Sequence, residues 1–256
     1  MSESVPYSVN KSKAEKMKTT GIAIIVALGV SAGASANSLT MSFLGFGDST
    51  VAGIRYNSNL AFNSRSDSSF TNITVGEHRW GVYSQERTSF CVQLFEGVTV
   101  GNSYTFNVVD PSQVPEAELP YNAPGPMGSV KAQLINDLYR RYYAGLSNAA
   151  DKGAFQLAIY EISHENISAL TAASAVSQLA LDRGAFQANK PGGSYAAAAQ
   201  MLASLGQGGF GTMGSNLLGL TNPAAQDQLL VVPIGAPAVL AGFGLLGLGL
   251  MRRRMK

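Results

Sequence analysis

A single cysteine, Cys91, is the whole thiol inventory of this 256-residue chain, so no internal disulfide can form. There are only two histidines, His78 and His164, and neither shares a metal-ligand spacing with Cys91. The acidic residues lack the Asp-x-Asp-x-Asp-Gly order of a calcium loop, so neither a metal nor another cofactor is expected. Also missing are a Gly-x-Ser-x-Gly elbow, a phosphate-cradling Gly-Lys-Ser loop and any internal repeat. A turnover enzyme is therefore not expected. Charged residues are scarce, 13 % of the chain, and their placement is uneven.

Eight basic residues sit at the two ends: Lys11, Lys13, Lys16 and Lys18 at one, and Arg252, Arg253, Arg254 and Lys256 at the other. Between residues 37 and 231, ten basic residues face fourteen acidic ones, a net charge of −4. The overall +2 thus belongs to the ends, and the acidic middle argues against nucleic acid as a partner. The N-terminal lysines, the apolar run Gly21 to Val30 and Ala34-Ser35-Ala36 have the order of a secretory signal peptide. Cleavage is expected after Ala36, and Met17 is the expected start within a segment 1–36.

From Ile234 to Met251 no residue is charged. About 18 residues at 1.5 Å of rise give about 27 Å, close to the ~30 Å hydrocarbon core, so one helix would span. The arginines behind it would stay in the cytoplasm and leave everything upstream exported. The motif Val232-Pro233-Ile234-Gly235-Ala236, the apolar run and Arg252, Arg253 and Arg254 resemble the VPLPA variant of the PEP-CTERM sorting signal of exosortase substrates in Gram-negative bacteria. Gly235 stands where that signal has its second proline. The resemblance implies export, transient anchoring in the inner membrane, processing by an exosortase within 233–256, and release to the cell surface or an exopolysaccharide-rich extracellular matrix.

The exported part changes character near Pro111. Leu39 to Phe46, Val51 to Tyr56, Phe70 to Val75, Ser89 to Phe95 and Ser103 to Val109 are short β-branched or aromatic runs between Gly, Asn, Asp and Ser, so 37–110 reads as β-rich. His78 falls between two of these runs and reads as a turn residue. Five prolines from Pro111 to Pro126 make 111–127 a surface connector. Beyond it, in 128–205, apolar residues recur at helical spacing: helices are expected over Ser129 to Ala144, Asn148 to His164, Ser168 to Gln187 with Ser168 as cap, and Tyr195 to Leu205. Segment 206–232 combines a flexible Gly-rich stretch, Gly206 to Gly214, with a closing strand at Gln228 to Val232. The expected class is α+β, a barrel or sandwich-like β part followed by a helical part.

Thr88-Ser-Phe-Cys91-Val-Gln-Leu-Phe alternates as a strand, and on its own Cys91 reads as a small buried residue. Gln156 places one amide on an otherwise apolar helix stripe with Phe155, Ile159 and Tyr160. A strand cysteine followed 65 residues later by Gln156-Leu-Ala158-Ile159-Tyr160 resembles the Cys-Gln thioester domains of bacterial surface adhesins, whose helix motif is Gln-x-Ala-Ile-Trp. Tyr160 replaces the tryptophan and Phe155 the threonine common before the glutamine. The resemblance implies a Cys91–Gln156 thioester, shielded by Phe90, Phe95, Phe155 and Tyr160, that acylates an amine or hydroxyl of a surface polysaccharide or protein. His164, Glu161 and Tyr160 are the candidate assisting groups. The competing expectation is a non-reactive structural or polysaccharide-associated matrix protein in which Cys91 is a buried thiol and Gln156 a core amide.

Overall fold

The computed structural model describes residues 38–116, 125–189 and 193–232. Seven strands lie in one antiparallel sheet: β1 (Ser38–Tyr56), β2 (Thr71–Val82), β3 (Gln85–Cys91), β4 (Ser103–Val109), β5 (Phe186–Ala188), β6 (Leu217–Thr221) and β7 (Gln228–Val231). Between β4 and β6 come α1 (Gly128–Tyr142), α2 (Ala149–His164), the single turn α3 (Ala172–Ala175) and α4 (Gly193–Ala203). The strand order is β2-β3-β7-β6-β4-β1-β5, and β1 also pairs with β2, so the ladder returns on itself. The chain is thus a mixed α/β protein with a large antiparallel sheet in its N-terminal half and helices behind it, completed by strands from the C-terminal side.

Closure depends on β1. Its start, Ser38 to Ser42, pairs with β4, while Ser42 to Ile54 pairs with β2 across register shifts at Phe43/Gly45 and Phe46/Ser49. Such bulges bend and twist a strand, which lets one 19-residue strand serve two partners. The two runs expected from sequence, Leu39 to Phe46 and Val51 to Tyr56, are therefore one strand. Opposite the second shift Gly76 has φ +150°, and a Cβ there would lie 2.5 Å from the Asp48 carbonyl oxygen, so only glycine fits this close approach.

Alternation along the strands separates two cores. Leu39, Met41, Phe43, Trp80, Phe106, Leu220 and Leu230 cluster on one face. Ala52, Ile54, Val75, Phe90 and Leu229 belong to the larger core shared with the helices. At its centre is α2, buried at every residue from Gly153 to His164, the polar Gln156, Glu161, Ser163 and His164 included. Asn148 caps it by accepting from the N–H groups of Ala150 and Asp151. The Thr50 methyl occupies the place where a Cβ on Gly153 would project, so α2 lies directly on β1.

Four expectations are corrected. The helix expected over Ser168 to Gln187 is one turn of α-helix capped by Thr171, a 3₁₀ turn at Val176–Gln178, and then β5 on β1. Gly184, at φ +93°, turns the chain against the Glu165 carboxylate and makes that strand possible. His78 is not a turn residue but a buried member of β2, paired with Ser89. The proline segment begins as a short 3₁₀ helix at Pro111–Gln113, and Pro111, Val114 and Pro115 are buried rather than exposed. The Gly-rich stretch is tied down: Asp137 accepts hydrogen bonds from Gly206 N–H (2.8 Å) and Gly211 N–H (2.9 Å).

Among the described residues no helix is long and apolar enough to cross a membrane. The signal segment with Ala34 and Ala36, the apolar run from Ile234, Pro233, Ala236 and Arg252, Arg253 and Arg254 all lie outside the described residues.

Candidate functional site

Cys91 ends β3 at a place where the sheet is losing a neighbour. The pairing of β2 with β3 stops at His78 and Ser89, whereas β7 runs on beside β3 to Cys91, opposite Gln228. Val92 N–H then donates to the Asp227 carbonyl (2.9 Å) on the β7 side. Main-chain polar groups alternate direction along a strand, so the N–H and C=O of Cys91 face the side that β2 has left. Gln156, from the middle of α2, fills that vacancy. Cys91 N–H donates to Gln156 Oε1 (3.2 Å), and Gln156 Nε2 donates to the Cys91 carbonyl oxygen (2.7 Å).

Cys91 is 0 % and Gln156 1 % exposed, so both are sealed from bulk solvent. Phe90 and Phe155, the chain neighbours of the pair, pack edge to face with centroids 4.9 Å apart, and Tyr139 stands 4.9 Å from Phe155. Phe95 is 38 % exposed and packs on Tyr56 at 5.6 Å. Of the shielding aromatics expected from sequence, Phe90, Phe155 and Tyr160 are buried, and Phe95 sits at the rim.

The sulfur has its own partners. Cys91 Sγ–H donates to the Gln93 carbonyl oxygen (2.8 Å), and Gln93 N–H donates back to Sγ (3.3 Å). The buried Gln93 carboxamide accepts from Asp227 N–H, and Gln226 Nε2 donates to the Gln93 carbonyl oxygen (3.3 Å). Burial pushes the Asp227 carboxyl up to about 7, against hydrogen bonds from the Glu116 and Asn222 N–H groups, with the nearby charges of Glu116 and Glu96 adding to the rise. Beside Cys91, Trp80 Nε1–H donates to Ser89 Oγ, which donates to Gln228 Oε1, each at 2.8 Å. Gln93, Gln228 and Asp227 were not singled out from sequence. The signal was present in Ser89-x-Cys91-x-Gln93, which the strand period puts on one face.

The assisting candidates lie further along α2. Glu161 is fully buried, accepts from Ala180 N–H (2.7 Å) and is pushed well above the ordinary carboxyl range by burial, with the Glu165 charge adding to it. His164 is held neutral, down to about 3, by burial and by the nearby Lys131 charge; its Nδ1 pairs with Ser163 Oγ at 2.8 Å. Glu161 Oε2 and His164 Nε2 have no hydrogen-bond partner among the described residues. Tyr160 packs edge-on against His164 at 5.8 Å. All three lie on the last turns of α2, with Tyr56 and Phe186 around the imidazole. His78 is likewise lowered by burial, to about 4, with a hydrogen bond to Gln228 opposing the shift.

Chemically, the pair has an acyl donor with an N–H on its carbonyl oxygen and an acceptor on its amide nitrogen, next to the residue that carries the thiol. Among the described residues no group of three or more His, Cys, Asp or Glu side chains could hold a metal ion. No protein-family model, curated protein or solved structure matches the chain.

Proposed function

We propose that this chain is an exported surface or matrix protein whose barrel-like β part and helical part together carry a latent thioester between Cys91 and Gln156. The observation that carries the reading is the paired hydrogen bonding of the Gln156 carboxamide to the main chain of Cys91, across 65 residues of sequence. Cys91 N–H would polarise the Gln156 carbonyl and stabilise the oxyanion formed when the thiolate adds to Cδ, as a main-chain donor does in acyl transfer. Collapse breaks the Cδ–Nε2 bond. The thiol proton goes to the leaving nitrogen, which departs as ammonia, and the thioester remains.

A primary amine or hydroxyl on a surface polysaccharide or protein then adds to the same carbonyl. The C–S bond breaks, the amine or hydroxyl proton passes to sulfur, and the partner is left joined to Gln156. Each molecule reacts once, so the protein is a covalent adhesin and not an enzyme. Sorting by an exosortase through a transient inner-membrane anchor is the delivery route in this reading, and it rests on the tail sequence. Burial of both residues supports it, because exclusion of water preserves the thioester until a partner reaches it.

A second reading has its own support. Both polar atoms of the Gln156 amide are hydrogen-bonded and the sulfur is held by Gln93, as expected of a non-reactive matrix protein with a buried thiol and a structural amide. Methylamine decides between them. Under the first reading it becomes attached at Gln156, located by peptide mapping, in the native chain and not in Cys91→Ala; under the second no residue is modified.

A further inference from the structure

The main chain of Cys91 is hydrogen-bonded to Gln156, and its sulfur is hydrogen-bonded to Gln93. The main chain of Cys91 faces α2, while its sulfur turns to the chain two residues further on. Gln93 C=O accepts from the thiol at 2.8 Å and Gln93 N–H points at the sulfur from 3.3 Å. A donor and an acceptor on one residue thus bracket one sulfur atom. Past Cys91 the strand has ended, so regular pairing does not explain why residue 93 stays there.

The anchoring comes from the Gln93 side chain together with the main chain of residues 92 and 93. Gln93 is 2 % exposed, and its carboxamide accepts from Asp227 N–H just before β7, where the neighbouring Gln226 Nε2 also reaches the Gln93 carbonyl oxygen. Val92 N–H bonds the Asp227 carbonyl oxygen in the same turn. Residues 92 and 93 are therefore fastened to 226 and 227 by three hydrogen bonds, and the sulfur is positioned by that fastening.

We propose that Gln93 is the positioning residue of the Cys91 thiol: its anchored main chain directs the sulfur, and its N–H carries the negative charge that develops there in acyl transfer. The inference rests on the thioester reading for its chemistry, but its geometry stands independently. When the thiol proton leaves, the Gln93 carbonyl loses a partner while the Gln93 N–H bond strengthens, since a donor to an ionised acceptor is the stronger bond. The same N–H then holds the thiolate as a leaving group when an incoming amine displaces it. Gln93→Met keeps the volume and removes the acceptor for Asp227 N–H. Residue 93 then keeps only its two main-chain fastenings, and its hold on Sγ loosens.

The test uses the fact that the chain has one cysteine, so its S–H infrared band belongs to one residue. In the Gln156→Ala background no thioester can form. Adding Gln93→Met is expected to move the S–H band to higher wavenumber, as the bond to the Gln93 carbonyl weakens. With Gln156 intact, Gln93→Met is expected to slow thioester formation, and release of the thiol by methylamine, by about tenfold or more. An unmoved band together with an unchanged rate overturns the proposal, because a packing role alone would leave both in place. If the Met variant does not fold, Gln93→Asn, one methylene short of the Asp227 N–H, is expected to give the same band shift. A band shift in a parent chain that never loses ammonia would remove the thioester reading and leave the positioning role of Gln93 standing.

Discussion

The carboxamide of Gln156 stands beside Cys91 where a neighbouring β-strand would stand, taking its N–H at 3.2 Å and giving its own N–H to the carbonyl at 2.7 Å. A side chain thereby substitutes for a backbone just past the point where the pairing of β2 with β3 ends, at His78 and Ser89. Buried main-chain groups need partners, so the departure of β2 and the presence of Gln156 on α2 are two parts of one arrangement.

Removing that side chain should therefore cost stability even where no thioester can form. In a Cys91→Ala background, Gln156→Leu would bury the N–H and C=O of residue 91 without partners, at about 1–3 kcal/mol each. The expected result is a lower urea midpoint with an unchanged slope. Gln156→Glu, which keeps one acceptor, should lose less.

Asp137 should prove the main anchor of the Gly-rich loop. It is fully buried, receives the N–H groups of Gly206 and Gly211, and pairs with Arg140 and Arg141 at 2.9 and 2.6 Å. Burial alone would raise its carboxyl, but these partners together hold it below the usual aspartate value. Its contribution is present above the unfolded value and lost as pH falls through the lower folded one. Asp137→Ala should cost about 3–5 kcal/mol and open 206–214 to limited proteolysis.

The buried acid Glu165, just past the end of α2, gives stability a slope of opposite sign. Burial raises Glu165 to about 7 from an ordinary value of 4.5, against hydrogen bonds from the N–H groups of Ala185 and Asn166. Its protonated form is favoured in the folded state, so its contribution is complete below about 4.5 and lost as pH rises to about 7. Glu165→Gln should flatten the fall in urea stability over that window. A slope as steep as in the parent chain would contradict the assignment.

The sequence was most readable where a single period governs an element. The alternating run Ser103 to Val109 is β4 to the residue, Asn148 to His164 is α2 with its cap, and Gln228 opens the closing strand. It was least readable where the tertiary setting overrides the local pattern. Ala172, Val176, Leu179 and Ala180 recur at helical spacing, yet Gly184 turns the chain and β1 recruits Phe186 to Ala188 as a strand. Cys91 and Gln156 could be proposed as partners only through a motif, since neither residue by itself distinguishes a reactive site from a core position. Gln93 was marked locally only by its two-residue spacing from Cys91, because its anchoring depends on Asp227, 134 residues away.

The central claim is that Cys91 and Gln156 become one acyl unit, and the most direct measurement is the intact mass of the purified exported segment beside its Cys91→Ala variant. The expected mass is short of the calculated value by one ammonia in the parent chain only. Methylamine should restore that chain to an adduct and release one thiol. A parent chain at full calculated mass, whose thiol labels stoichiometrically after denaturation, would contradict the claim.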